Sequence, residues 1–161
     1  MNQTTNTEDT KVLLTKEGLV ELERELKQLV DIRRPEVAQK IAAARDMGDL
    51  SENAAYVSAR DEQAFVEGRI AELQEIIKNA EVSSSSSGVK GSVAVGCRIK
   101  VHVDGGEEEY AIVGGPEANP KENKISHESP LGKALMGKKV GDKVEIDAPM
   151  GKLVYTILSV S

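Results

Sequence analysis

The chain has no tryptophan, one phenylalanine and three tyrosines in 161 residues. So few rings exclude stacking on runs of unpaired bases, which needs aromatic platforms. Its single cysteine, Cys97, cannot close an internal disulfide. The two histidines, His102 and His127, have no partners at zinc-ligand spacing. No apolar run exceeds four residues, far short of the ~20 that span a bilayer. The first ten residues, MNQTTNTEDT, have neither the basic start nor the apolar stretch of a signal peptide. These absences predict a soluble cytoplasmic protein with no membrane partner. Positive charge is also in short supply: 21 Lys+Arg stand against 27 Asp+Glu, a net charge of −6. That balance argues against broad phosphate binding by the chain alone, which requires clustered bases.

What is present is unevenly divided. Residues 1–10 carry a charge of −2, residues 11–81 carry −4, and residues 82–161 balance at zero. Ser83 to Ser87 and Gly88 read as a flexible linker. Before them Ala, Glu, Leu and Arg dominate, all good helix formers. After them lie ten of the fourteen glycines, four of the five prolines and short β-branched runs. The expected plan is α+β: a polar tail over 1–10, a helical hairpin over 11–81, a linker over 82–92 and a mostly β domain over 93–161.

Thr15 is the expected N-cap of the first helix, with Glu17 at the positive end of its dipole. Leu19, Leu22, Leu26 and Leu29 make one stripe, and Val30, Val37 and Ala44 continue it at seven-residue intervals with Ile41 between them. The stripe shifts near Arg33, Arg34 and Pro35, which predicts a bend there; the two arginines are expected to face solvent. In the second helix Ala59, Val66, Leu73 and Ala80 interleave with Gln63, Ile70 and Ile77, the pattern of a coiled-coil seam. Gly48 can end one helix and Asp49 or Ser51 can cap the next. Two such helices joined by a tight turn make an antiparallel hairpin with its tip at 47–52. Further on, strands are expected at Val93 to Val95, Arg98 to Val103, Glu109 to Val113, Lys143 to Ile146 and Leu153 to Val160. A short helix is expected from Ser129 to Met136, starting near Ser129-Pro130.

The chemistry-bearing residues sit at the turn. Asp49 and Glu52 are three apart, a spacing that on a helix places both carboxylates on one side of the tip. Extending the second helix's seam backwards through Tyr56 brings Glu52 onto the buried line. Acids in a first turn also serve as ordinary helix-dipole partners. Magnesium typically takes one or two protein carboxylates and keeps several waters. Two carboxylates are therefore too few for a self-sufficient metal site, but enough to complete one supplied by another macromolecule.

The run Gly48-Asp49-Leu50-Ser51-Glu52-Asn53-Ala54-Ala55-Tyr56 resembles the tip signature of the bacterial Gre transcript-cleavage factors. Ala43-Ala44-Arg45, Ala59 to Gln63 and Glu67-Gly68-Arg69-Ile70 fit it as well. Ile125 to Leu135, with the core Ser129-Pro130-Leu131-Gly132, and Gly137 to Asp142 resemble the A type of that family. The likeness covers roughly residues 11 to 161. It implies a coiled-coil hairpin followed by an FKBP-like antiparallel β domain, in a monomer. It implies that the β domain docks on bacterial RNA polymerase, with Ser129, Pro130, Leu131 and Gly132 as docking residues. It implies that the hairpin enters the polymerase's secondary channel, where Asp49 and Glu52 help hold a Mg2+ ion shared with the polymerase active site. Nascent RNA in the backtracked complex is then cleaved by the polymerase, with the chain a cofactor rather than a nuclease. Ser51 is a weaker candidate for orienting water or substrate. Arg45 and Arg60 flank the tip and are the candidate RNA contacts. Ala55 stands where the family usually has an acid.

Two other functions fit parts of the pattern. An FKBP-like domain raises prolyl isomerase activity, but that pocket is built from aromatics and only Tyr110 and Tyr155 follow the linker. A non-catalytic channel inhibitor would share the rod and dock without needing an intact Asp49/Glu52 pair. His102 and His127 are read as structural or surface residues, Cys97 as a small core residue, Glu107 to Glu109 as a solvated edge, and Ser129 as a cap with no base beside it.

Overall fold

The computed structural model describes residues 11–48, 52–84 and 91–161. The tail over 1–10, Asp49, Leu50, Ser51 and the segment 85–90 lie outside the described residues. The chain forms two compact units: one spans Val20–Lys78, and the other joins the residues before Val20 to those after Lys78.

The Val20–Lys78 unit is built from helix. Helix α1 (Lys16–Gln28) runs on through a π-helical turn (Leu29–Arg33) into α2 (Arg34–Asp46); α3 (Ala54–Lys78) returns. Pro35 explains the π turn. A proline ring meets the carbonyl four residues back and donates no hydrogen bond to it. Widening the preceding turn, with the Arg34 N–H bonded to the Leu29 carbonyl, relieves that conflict without breaking the helix. The shifted stripe in the sequence is this turn.

The seam is close to the expected one. Val37, Ile41, Ala59, Val66 and Ile70 are buried together, with Leu26, Leu29, Val30 and Tyr56 against them. Each fully buried Val, Leu or Ile side chain favours the packed state by about 1.5–3 kcal/mol. Ion pairs flank the seam. Arg34 forks onto both carboxylate oxygens of Glu67 at 2.7 Å. Glu62 accepts from Arg33 at 2.5 Å and Lys40 at 2.7 Å, and Glu25 accepts from Arg69 at 2.7 Å. Glu25, Arg34 and Lys40, in rising order along the first arm, meet Arg69, Glu67 and Glu62, in falling order along α3, so the helices are antiparallel. Arg33 and Arg34 do reach solvent, but both also tie one helix to the other.

The other unit differs from its expected outline at the ends of the hairpin. Residues 12–14, 80 and 81, assigned to the hairpin by sequence, and residue 82, assigned to the linker, lie in strands. β1 (Val12–Leu14) pairs in parallel with β2 (Ala80–Val82), Leu13 opposite Glu81. Val12 and Val82 are β-branched and suit a strand better than a helix end. Ala80, expected on the seam, is therefore in β2. Val82 closes that strand rather than opening a linker, and Ser83 donates its N–H to Leu14 and its hydroxyl to Val95.

Thr15 caps α1 as expected, its hydroxyl accepting the Gly18 N–H at 3.0 Å. Glu117 fixes the cap from outside: its carboxylate accepts the Thr15 N–H at 2.8 Å, the Thr15 hydroxyl, and the Gly114 N–H at 3.0 Å. A carboxylate at this helix end also favours the dipole.

The β domain is a five-stranded sheet in the order β5-β4-β3-β7-β6. β3 (Arg98–Val103) and β4 (Gly106–Val113) form a hairpin. Asp104 and Gly105, both at positive φ, supply the two-residue turn whose twist matches the strands. β3 alternates as a half-buried strand should, with Ile99, Val101 and Val103 inside and Arg98, Lys100 and His102 outside. β6 (Lys143–Ala148) and β7 (Gly151–Val160) complete the antiparallel part. β5 (Lys124–Ser126), which joins β4 in parallel, carries no alternation and was not expected. Val93 to Val95 is not a strand, although Val93 and Val95 are core residues alongside Ile112, Leu135 and Ile157. Helix α4 (Pro130–Leu135) packs its Leu135 into that core.

Candidate functional site

The turn between α2 and α3 holds the residues to which the sequence assigns chemistry. α2 ends at Asp46, and Gly48 follows at φ +125, a conformation that favours glycine. α3 does not start where the carboxylate spacing requires. Its cap is Asn53: the side-chain oxygen accepts the Tyr56 N–H at 3.1 Å, and the side-chain nitrogen donates to the Ala44 carbonyl at 2.7 Å. Asn53 thus closes one helix and opens the next. The expectation that Asp49 or Ser51 caps α3 is replaced by this residue. Asn is a leading N-cap, but so are Asp and Ser, so the sequence does not choose among the three.

Glu52 precedes that cap and is exposed. The helical i,i+3 argument therefore does not extend to it, and it does not continue the buried seam. Among the described residues Glu52 has no hydrogen-bond or ion-pair partner. Asp49 and Ser51 lie outside the described residues. No group of three His, Cys, Asp or Glu among the described residues could hold a metal ion.

The two flanking arginines are exposed. Arg45 stands over the Tyr56 ring, 6.0 Å from its centre, and Arg60 donates to the neutral Gln63 amide at 2.7 Å. Neither pairs with a carboxylate among the described residues, in contrast to Arg33, Arg34 and Arg69 further along. Below the turn, the small side chains of Ala43, Ala44, Ala55 and Ala59 leave a groove of about 340 Å³. Met47, 80 % exposed, lies at its end.

In the β domain the four docking candidates divide by role. The Ser129 hydroxyl accepts the Gly132 N–H at 3.0 Å and donates to the Ser126 carbonyl at 2.7 Å, so it caps α4. Gly132 is buried, and a Cβ there would overlap the Ser126 carbonyl oxygen. Both are accounted for by folding. Pro130 is exposed and Leu131 half-buried, and these two offer surface. His127 places Nδ1 3.3 Å from the Val113 carbonyl. Cys97 is half-buried. Tyr110 bonds Glu108, and desolvation first, then that bond, holds its phenol above the ordinary tyrosine range.

An antiparallel helical hairpin with an exposed carboxylate beside its turn, followed in the chain by a curled β domain, defines a two-domain class. The description "Transcription elongation factor, N-terminal" matches residues 12–82, and "Transcription elongation factor, GreA/GreB, C-term" matches residues 88–161. The chain is 51 % identical over 151 residues to transcription elongation factor GreA of Thermoanaerobacter pseudethanolicus, covering 92 % of this chain and 96 % of that one. It is 47 % identical over 149 residues to GreA of Bacillus cereus, covering 91 % and 94 %. The crystal structure of GreA factor homolog 1 of Thermus thermophilus is 28 % identical, covering 94 % of this chain and 99 % of that one, with a TM-score of 0.44. The chain belongs to the GreA/GreB family of transcription elongation factors, and its curated relatives are of the GreA type.

Proposed function

We propose that this chain binds bacterial RNA polymerase in the cytoplasm, places its hairpin in the secondary channel, and stimulates cleavage of backtracked nascent RNA without being a nuclease itself. The observation that supports this most is the division of labour at the turn. Asn53 does the capping that would otherwise explain the acids, and Glu52 is left exposed with no partner among the described residues. An unpartnered carboxylate next to a helix pair is of little use to folding and well suited to a ligand.

In this reading Asp49 and Glu52 complete a Mg2+ site that the polymerase mostly supplies. The ion, when bound, polarises the phosphate and lowers the pKa of the attacking water. Glu52 contributes an unshared carboxylate. Arg45 and Arg60, free of carboxylates among the described residues, contact the RNA backbone near the scissile bond. Ser51 assists in orienting water. Pro130 and Leu131 make the docking contact, held in place by Ser129 and Gly132.

The test adds the full chain and magnesium to stalled, backtracked complexes and follows the RNA. Release of a 3′ fragment should accelerate with the chain present, and RNA incubated with the chain alone should remain intact. Cleavage of free RNA by the chain, or no acceleration in the complex, contradicts the proposal.

A further inference from the structure

The β domain is neutral as a whole, but its charges are segregated. On the sheet, bases meet acids: Lys100 pairs with Glu107 at 2.5 Å, Arg98 with Glu109 at 3.8 Å and Lys152 with Glu145 at 2.7 Å. Between residues 130 and 144 the pattern breaks. Lys133, Lys138, Lys139 and Lys143 lie there with one acid, Asp142, and that carboxylate accepts the Lys139 backbone N–H at 2.8 Å. All four lysines are exposed and none forms an ion pair among the described residues.

Three of them border one cavity. A cleft of about 500 Å³ lies between α4 and β6, lined by Lys133, Lys138 and Lys143 with Ala134, Met136 and Val144. β6 is an edge strand of the sheet. The one acid in the lining, Glu145, is already taken by Lys152. Like charges around a concave surface repel each other and focus a positive potential outward. An anionic occupant relieves that repulsion. The floor holds no aromatic ring and no arginine fork, which base stacking and bidentate phosphate recognition would use. A methionine beside alanine and valine instead suits a protein segment that brings its acids to the lysines, because the flexible thioether adapts to irregular surfaces.

From this charge complementarity we infer that the α4–β6 cleft seats an acidic segment of the polymerase, making the lysines a steering and docking surface next to Pro130 and Leu131. The inference rests on the docking reading above and names the chemistry of its partner. It also resolves how a chain of net charge −6 approaches an acidic surface: the local field at the cleft, not the net charge, governs encounter.

The experiment measures the affinity of the full-length chain for RNA polymerase across a series of salt concentrations. The double variant Lys138→Glu/Lys143→Glu should bind about tenfold more weakly at low salt, with a shallower salt dependence. Lys143→Gln should show a smaller loss in the same direction. Lys121→Glu, an unpaired surface lysine outside the cleft, should stay within about twofold of the parent. Circular dichroism confirms that the variants remain folded. Parent-like affinity and salt slope in the double variant overturn the inference alone. Absence of binding by the parent chain overturns the docking reading and this inference with it. Loss of inorganic tripolyphosphate binding by the double variant, with polymerase affinity unchanged, overturns it in favour of a phosphate ligand.

Discussion

Asn53 is the residue on which the turn depends, because one amide side chain serves both helices. Asn53→Ala removes the N-cap bond and leaves the Ala44 carbonyl without that donor. The expected loss is about 1 kcal/mol, read as a lower Tm and as faster hydrogen exchange at Tyr56 than at Ile70. Gly132 is decisive for a different reason. A methyl group there overlaps the Ser126 backbone carbonyl, which cannot move as a long side chain can. Gly132→Ala should therefore destabilise the β domain by about 1–3 kcal/mol, the range for overpacking, in a denaturant titration. At this scale the sequence was legible where a side chain obeys a local rule: Thr15 and Ser129 cap the helices that follow them. It was illegible where the outcome depends on a competitor. Asp49, Ser51 and Asn53 are all capping types, and only the folded turn shows that Asn53 fills the role. Glu117 was equally hidden, since its partner Thr15 is 102 residues away.

Among elements, the seam of the hairpin follows from periodicity because a coiled coil enforces one spacing over many turns. The shift at Pro35 was legible as an irregularity, and its form as a π turn was not, because several distortions relieve a proline equally well on paper. Pro35→Ala removes the steric cause; proton-resolved NMR should then show the Arg34 amide closer to ordinary α-helical bonding. The ion pairs across the hairpin give it an acid sensitivity. The Arg34 guanidinium lowers the Glu67 carboxyl from its ordinary value of 4.5, and Lys40, then Arg33, lower that of Glu62. Groups whose pKa is depressed by folding contribute stability above the unfolded pKa and lose it as pH falls through the folded value. Helicity should therefore become easier to melt as pH drops below about 4.5, and Glu62→Gln/Glu67→Gln should flatten that dependence. Both pairs are solvent-exposed, so high salt should mask the effect at neutral pH. The short strands β1, β2 and β5 were missed for a common reason: three residues are too few for alternation to register, and their partners are remote in sequence.

Across the whole molecule, the scarcity of basic charge and of aromatic rings argues against broad phosphate binding and base stacking by the chain alone, which accords with the proposal that it acts through a partner. In the hairpin Glu25, Glu62 and Glu67 are engaged by Arg33, Arg34, Lys40 and Arg69, and on the sheet Lys100, Arg98 and Lys152 are engaged by Glu107, Glu109 and Glu145. Among the described residues that form no ion pair are Glu52, Arg45 and Arg60 beside the turn, and the lysines of the α4–β6 cleft. The hairpin plan and the sheet were readable from composition and periodicity. The tip's division between a capping amide and an unpartnered carboxylate was not, because it depends on where α3 begins. The most direct test of the account is the rate of RNA cleavage in backtracked polymerase complexes, at saturating factor and magnesium, for the parent chain and for Asp49→Ala/Glu52→Ala. The account predicts that the double variant still binds polymerase but loses at least ~100-fold in stimulated cleavage, the scale for removing preorganised charge stabilisation. Cleavage at the parent rate by the bound variant would contradict it.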